Sequence, residues 1–163
     1  MTDFSVKPLA AVDRGYALSS WRESLKQAPE HHRVPWAYFK NTVGAELSRI
    51  INDPTTRLLG AYNESEKLLG WLAMTAGKRV HTCHWVQVKH ELDGEKLRRR
   101  GLMMALLEAA ELGPRFVYTL RARRDRAKLP DGTITKSLDE SLVIALQNKG
   151  VTATYVPLRE WLK

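Results

Sequence analysis

Apolar residues along the chain fall into short alternating runs and longer three- and four-residue periodicities. Residues 4–9 alternate and predict a first strand, with Pro8 marking a sheet edge. Asp13 is placed to cap a helix running to about Lys26, with Tyr16, Leu18, Trp21 and Leu25 among its apolar positions. The polar stretch 27–34 predicts a loop, and Pro35 opens a second helix at its favoured first-turn position. There Trp36, Phe39, Val43, Leu47, Ile50 and Ile51 form one wide apolar stripe, which Asn52-Asp53-Pro54 ends. Residues 57–62 and 67–75 flank a polar turn typical of a hairpin, and 79–89 is a third, longer strand-like run. After Leu92-Asp93-Gly94 a helix is predicted from near Arg99 to Leu112, stopped by Gly113-Pro114, with a strand over 115–120. A basic loop over 121–136, a helix over 137–148, a last strand over 151–156 and a short basic tail complete the pattern. The order β-α-α-β-β-β-α-β-α-β predicts one mixed α/β domain whose sheet is covered by helices.

Composition agrees with that picture. The chain has 163 residues, 44% apolar and 27% charged, enough for one ordinary core and too apolar for a disordered or fibrous protein. No apolar run approaches the ~18–20 residues of a membrane span. The first five residues lack the basic start and apolar stretch of a secretory signal. Cys83 is the single cysteine, so no internal disulfide forms and a reducing cytoplasm is the expected setting. His81, Cys83 and His90 lack metal-ligand spacing, and Cys83 reads as a buried structural residue. Trp21 and Trp36 lie on helical stripes, and Trp71 and Trp85 on apolar strands, so all four are expected in the core.

Charge changes the picture. The formal net charge is +8, and most of the excess lies between Gly94 and Lys128. Such a cluster favours a polyanionic ligand: a phosphorylated cofactor, nucleic acid or an acidic protein face. Within it, Arg98-Arg99-Arg100-Gly101 puts three cations and a flexible backbone where a helix begins, and unpaired helix N–H groups favour a phosphate there. The loop carrying Arg121, Arg123, Arg124 and Arg126 is a second candidate, for nucleic acid, an acidic protein or a cofactor phosphate.

The element order, with Arg98-Arg99-Arg100-Gly101-Leu102 between the fourth strand and third helix, resembles the GNAT superfamily of acyl-CoA N-acyltransferases, whose signature is Gln/Arg-x-x-Gly-x-Gly/Ala. The stretch from Val12 to Trp21 is similar to the first helix of small GNAT-like proteins common in phage and bacterial genomes. The resemblance implies a single-domain GNAT-like mixed sheet and acetyl-CoA as cofactor, with the acetyl group passed by direct attack to an amine of a protein, nucleic acid or small molecule. It implies that Arg98, Arg99, Arg100, Gly101, Leu102 and Met103 cradle the coenzyme A pyrophosphate. The backbone of Trp85, Val86, Gln87 and Val88 would pair with the pantetheine arm where the fourth and fifth strands splay, and Val86 N–H would polarise the thioester carbonyl.

The chain departs from the family pattern at three places. Met103 replaces the final glycine or alanine, residues 90–96 make a long connection, and the family's frequent tyrosine acid would fall near Leu146. Tyr118, Tyr155 or solvent must then reprotonate the thiolate, and His84 is the favoured general base, on the face opposite His81, Cys83, Trp85 and Gln87. A second reading, from Met103, Leu146 and the basic loop, is a phage-encoded GNAT-like module that binds nucleic acid or a host protein.

Overall fold

The computed structural model describes residues 3–27, 31–97, 101–119, 146–156 and 158–161. In chain order the elements are β1 (Phe4–Pro8), α1 (Arg14–Lys26), α2 (Trp36–Asn41), α3 (Val43–Asn52), β2 (Thr56–Asn63), β3 (Leu68–Thr75) and β4 (His81–Val88). They continue with β5 (Glu91–Leu92), β6 (Glu95–Lys96), α4 (Leu102–Ala109), β7 (Arg115–Tyr118), β8 (Thr152–Tyr155) and α5 (Leu158–Trp161). Leu146 and Gln147 are also helical.

Six strands form one mixed sheet in the order β1-β2-β3-β4-β7-β8. The first four pair antiparallel, and β7 and β8 are parallel to β4. β1 lies at the edge, where Pro8 removes no ladder bond that the sheet needs. Leu58 to Tyr62 of β2 and Leu68 to Met74 of β3 are buried at every position. Successive strand residues point to opposite faces, so both faces are covered. α1 and α3 supply one cover, with Trp21 edge-on to Trp71 and stacked on Trp85. α4 lies across β2, β3 and β4.

Local chemistry explains where elements differ from their sequence pattern. The stripe from Trp36 to Ile51 is two helices, because Thr42 leaves helical geometry (φ −107°, ψ −87°) and its hydroxyl donates to the Tyr38 carbonyl at 2.8 Å. With that break Trp36 turns outward, 47% exposed, and leaves the core to Phe39. Asp13 does stand before α1, yet its carboxylate accepts from the Tyr62 hydroxyl at 2.8 Å instead of capping the helix. The long connection after β4 is a small ribbon: Asp93 (φ 50°) and Gly94 (φ 81°) supply the two left-handed residues of a tight turn between β5 and β6. Lys67 ties Asp93 to the β2–β3 turn at 2.6 Å, and Leu97 anchors the end of the ribbon in the core.

Candidate functional site

The residues of interest gather along β4, at and beyond its described pairing with β7. Parallel pairing joins His81, Thr82 and Cys83 to Phe116, Val117 and Tyr118, and Thr119 N–H donates to the Cys83 carbonyl at 3.0 Å. β4 then runs on to Val88 with no partner on that side among the described residues. On its other side Trp85, Val86, Gln87 and Val88 pair with Ala73 to Gly70 of β3. Gly70 is required there, since a Cβ would stand 2.7 Å from the Gln87 carbonyl oxygen.

His84 is an extra residue in the ladder. Ala73 faces Trp85 and Met74 faces Cys83, which leaves His84 without a partner across the pair. This bulge breaks strict alternation, so Trp21 meets both His84, at 6.3 Å, and Trp85, at 6.1 Å, rather than one of them. It also turns the Trp85 N–H to the Cys83 sulfur. Burial pushes the Cys83 thiol up to about 12, which keeps it a neutral structural group at ordinary pH.

The imidazole of His84 is completely buried. Nε2 shares a hydrogen with the Thr75 hydroxyl at 2.7 Å, and Nδ1 is 3.2 Å from the Thr119 hydroxyl. Trp161 of α5 stands edge-on to the ring at 4.3 Å and donates its indole N–H to the Thr82 hydroxyl at 3.1 Å. Burial lowers the His84 pKa to about 4. Both nitrogens are engaged and the ring meets no solvent, so in this arrangement His84 offers no open nitrogen to a substrate proton. Nothing local in the sequence announces Thr75, Thr119 or Trp161 as its partners, because all three arrive from other elements.

Further along the chain, Gly101 holds a left-handed conformation (φ 77°, ψ 2°) at the start of α4, with open space where a Cβ would point. The first turn carries no side-chain cap and no acidic residue, and the helical backbone bonds begin with Ala105 N–H to the Gly101 carbonyl. The N–H groups of Leu102, Met103 and Met104 therefore point out of the helix end unpaired within it. Met103 is half-buried and packs against the core. Arg98, Arg99 and Arg100 lie outside the described residues, as do Arg121, Arg123, Arg124 and Arg126.

The structure of a provisionally named acetyl transferase from Pyrococcus furiosus is similar to this one over 96% of this chain and 97% of its own, with TM-score 0.53 and 13% sequence identity. The chain has the GNAT fold. Further similar structures are the aminoglycoside antibiotic 6'-N-acetyltransferase of Acinetobacter baumannii, with TM-score 0.49, 14% identity and coverage of 88% and 89% of the two chains. The PaiA N-acetyltransferase of Thermoplasma acidophilum, solved in complex with coenzyme A, has TM-score 0.43, 18% identity and coverage of 67% and 70%. No protein-family model matches the sequence, and no curated protein matches it.

Within the GNAT fold the remaining positions fall into place. Tyr118 is half-buried at the last described residue of β7, its ring 5.4 Å from that of Tyr155. Leu146 is buried beside Leu107, Leu112 and Phe116, where β7 begins. Among the described residues no helix is long and apolar enough to cross a membrane.

Proposed function

We propose that the protein is an acetyl-CoA-dependent N-acetyltransferase that passes the acetyl group directly to an amine of its acceptor. The observation that carries this reading is the edge of β4 beyond Cys83, which pairs with no strand on the β7 side among the described residues, followed in the chain by an uncapped α4 behind a left-handed Gly101. The fit to coenzyme A is chemical: an extended strand edge suits an amide-bearing arm, and a helix end free of acid suits a pyrophosphate. The name given to the Pyrococcus furiosus protein of the same fold agrees.

Each group then has a task. The N–H groups of Leu102 and Met103 take the pyrophosphate, Gly101 lets it approach, and Arg98, Arg99 and Arg100 supply countercharge. The backbone of Trp85, Val86, Gln87 and Val88 holds the pantetheine arm. Trp85 N–H is turned to the Cys83 sulfur, so Val86 N–H is the donor we assign to the thioester carbonyl oxygen. When bound, acetyl-CoA supplies an activated acetyl group. His84, neutral and doubly bonded, fixes the bulge that aims these N–H groups. The proton of the incoming amine passes to solvent, and Tyr118 is the assigned donor to the departing thiolate.

Isothermal titration with acetyl-CoA tests this directly. Saturable heat is expected for the wild type and none for Gly101→Glu, which would set a carboxylate against the pyrophosphate. No heat at millimolar acetyl-CoA, with the protein folded by circular dichroism, would remove the enzymatic reading.

A further inference from the structure

The sequence stripe assigns Trp36 to the core, and the fold puts it on the surface. Trp36 is 47% exposed, and its neighbour along α2, Tyr38, is 65% exposed. One face of the indole is backed by Phe39, stacked at 5.7 Å with 22° between the planes. The Phe39 ring is in turn held edge-on by His31 at 5.4 Å and overlooked by the Lys26 ammonium at 6.0 Å. The indole is thus a rigid plate supported from behind, at the outer end of a small aromatic stack.

The stretch of chain around it, between Glu30 and Glu46, carries cations only. From His31 to Ala45 the chain holds Arg33 and Lys40 and no acidic residue. Lys40 lies one helical turn beyond Trp36 on the same side of α2, and both it and Arg33 are exposed. A flat aromatic face beside exposed cations suits a ligand that alternates flat bases with phosphates. A lipid surface would ask for bulky aliphatic side chains around the indole, and residues 33–41 expose Pro35 and Ala37 but no leucine, isoleucine or phenylalanine.

We propose that the α2 surface around Trp36, with Arg33 and Lys40, binds single-stranded nucleic acid by stacking a base on the indole. The basic segment 121–126 is a separate feature and is not needed for it. Fluorescence polarisation with a labelled oligothymidylate of about 15 nucleotides gives the test, since single-strand sites span roughly 4–16 nucleotides. Trp36→Ala should raise Kd about tenfold or more while leaving the salt slope in place, and Trp36→Phe should recover part of the loss. Arg33→Gln and Lys40→Gln should each flatten the slope of log K against log salt by about 0.7. Thermal melts of the same variants establish that they are folded. Equal Kd values for wild type and Trp36→Ala would overturn the proposal, as would no binding at low salt. Trp36-dependent binding to phosphatidylserine vesicles without oligonucleotide binding would overturn it in favour of a membrane contact.

Discussion

Burying a neutral imidazole at the bulge of β4 makes stability depend on pH from about 6.5 downward, above the range where most carboxylates begin to titrate. In the unfolded chain His84 takes up its proton near the ordinary value of 6.5, whereas in the fold burial holds protonation off to about 4. Between those values the unfolded chain binds more protons than the native one, so stability falls as pH falls. The contribution is fully present above about 6.5 and lost as pH drops toward 4. Linkage gives a loss of about 1 kcal/mol on going from pH 7 to about 5.5, and of about 2 kcal/mol by about 4.5. With a urea m-value of about 2 kcal/mol/M, the midpoint should move down by about 1 M over that range. The comparison is His84→Gln, which carries no charge at any of these pH values and still reaches a threonine hydroxyl. Its midpoint starts lower, through lost ring packing against Trp161, and changes less with pH. Subtracting the two curves removes the carboxylates that titrate alike in both proteins. If the variant keeps the full wild-type slope, the buried imidazole is not the titrating group and the account of the bulge fails.

Other perturbations read other parts of the frame. Gly101→Ala meets open space and pays only for its left-handed backbone, so it should lower stability by about 1 kcal/mol in urea titration; no loss would mean that the turn relaxes. Tyr62→Phe removes the hydroxyl that accepts from Ala10 N–H at 2.9 Å and donates to Asp13, and should destabilise by about 1–2 kcal/mol, with a neutral result pointing to water as a substitute. Gly70→Ala forces a Cβ against the Gln87 carbonyl and should cost about 2 kcal/mol, together with weaker acetyl-CoA heats because β4 is displaced; full retention of both would contradict the close approach.

The strands were legible because their burial is written in their residues. The apolar runs of β2 and β3 around a polar turn read as a hairpin, and the proline of β1 reads as an edge, whereas the pairing of β1 with β2 has no signal in the sequence. What escaped depends on single residues acting at a distance. An apolar stripe continues unchanged across Thr42, so nothing in its periodicity shows the break that turns Trp36 out. A two-residue period likewise cannot reveal an inserted residue, and the bulge at His84 puts two successive side chains against Trp21. Residues 90–96 read only as a long connection, because the strands on either side of Asp93-Gly94, two residues each, are too short to leave a pattern. The histidine itself was noticed for its chemistry, and its two threonine partners are 9 and 35 residues away in the chain.

Cys83 ties these strands together. It is the last residue of β4 paired with β7, it precedes the bulge, and its sulfur receives the Trp85 N–H. A larger side chain would not fit a position with no exposed surface, and an apolar one would leave that N–H without its acceptor. The same burial that suits the thiol to this task holds its pKa near 12, so the thiolate needed for acyl capture is scarce at neutral pH. It is the chain's one cysteine, so the acetyl transfer proposed above has no readily ionised thiol of the protein to use as an acyl carrier. That agrees with the direct attack by an acceptor amine that we propose, in which a polarised thioester carbonyl rather than a cysteine acyl-enzyme lowers the barrier.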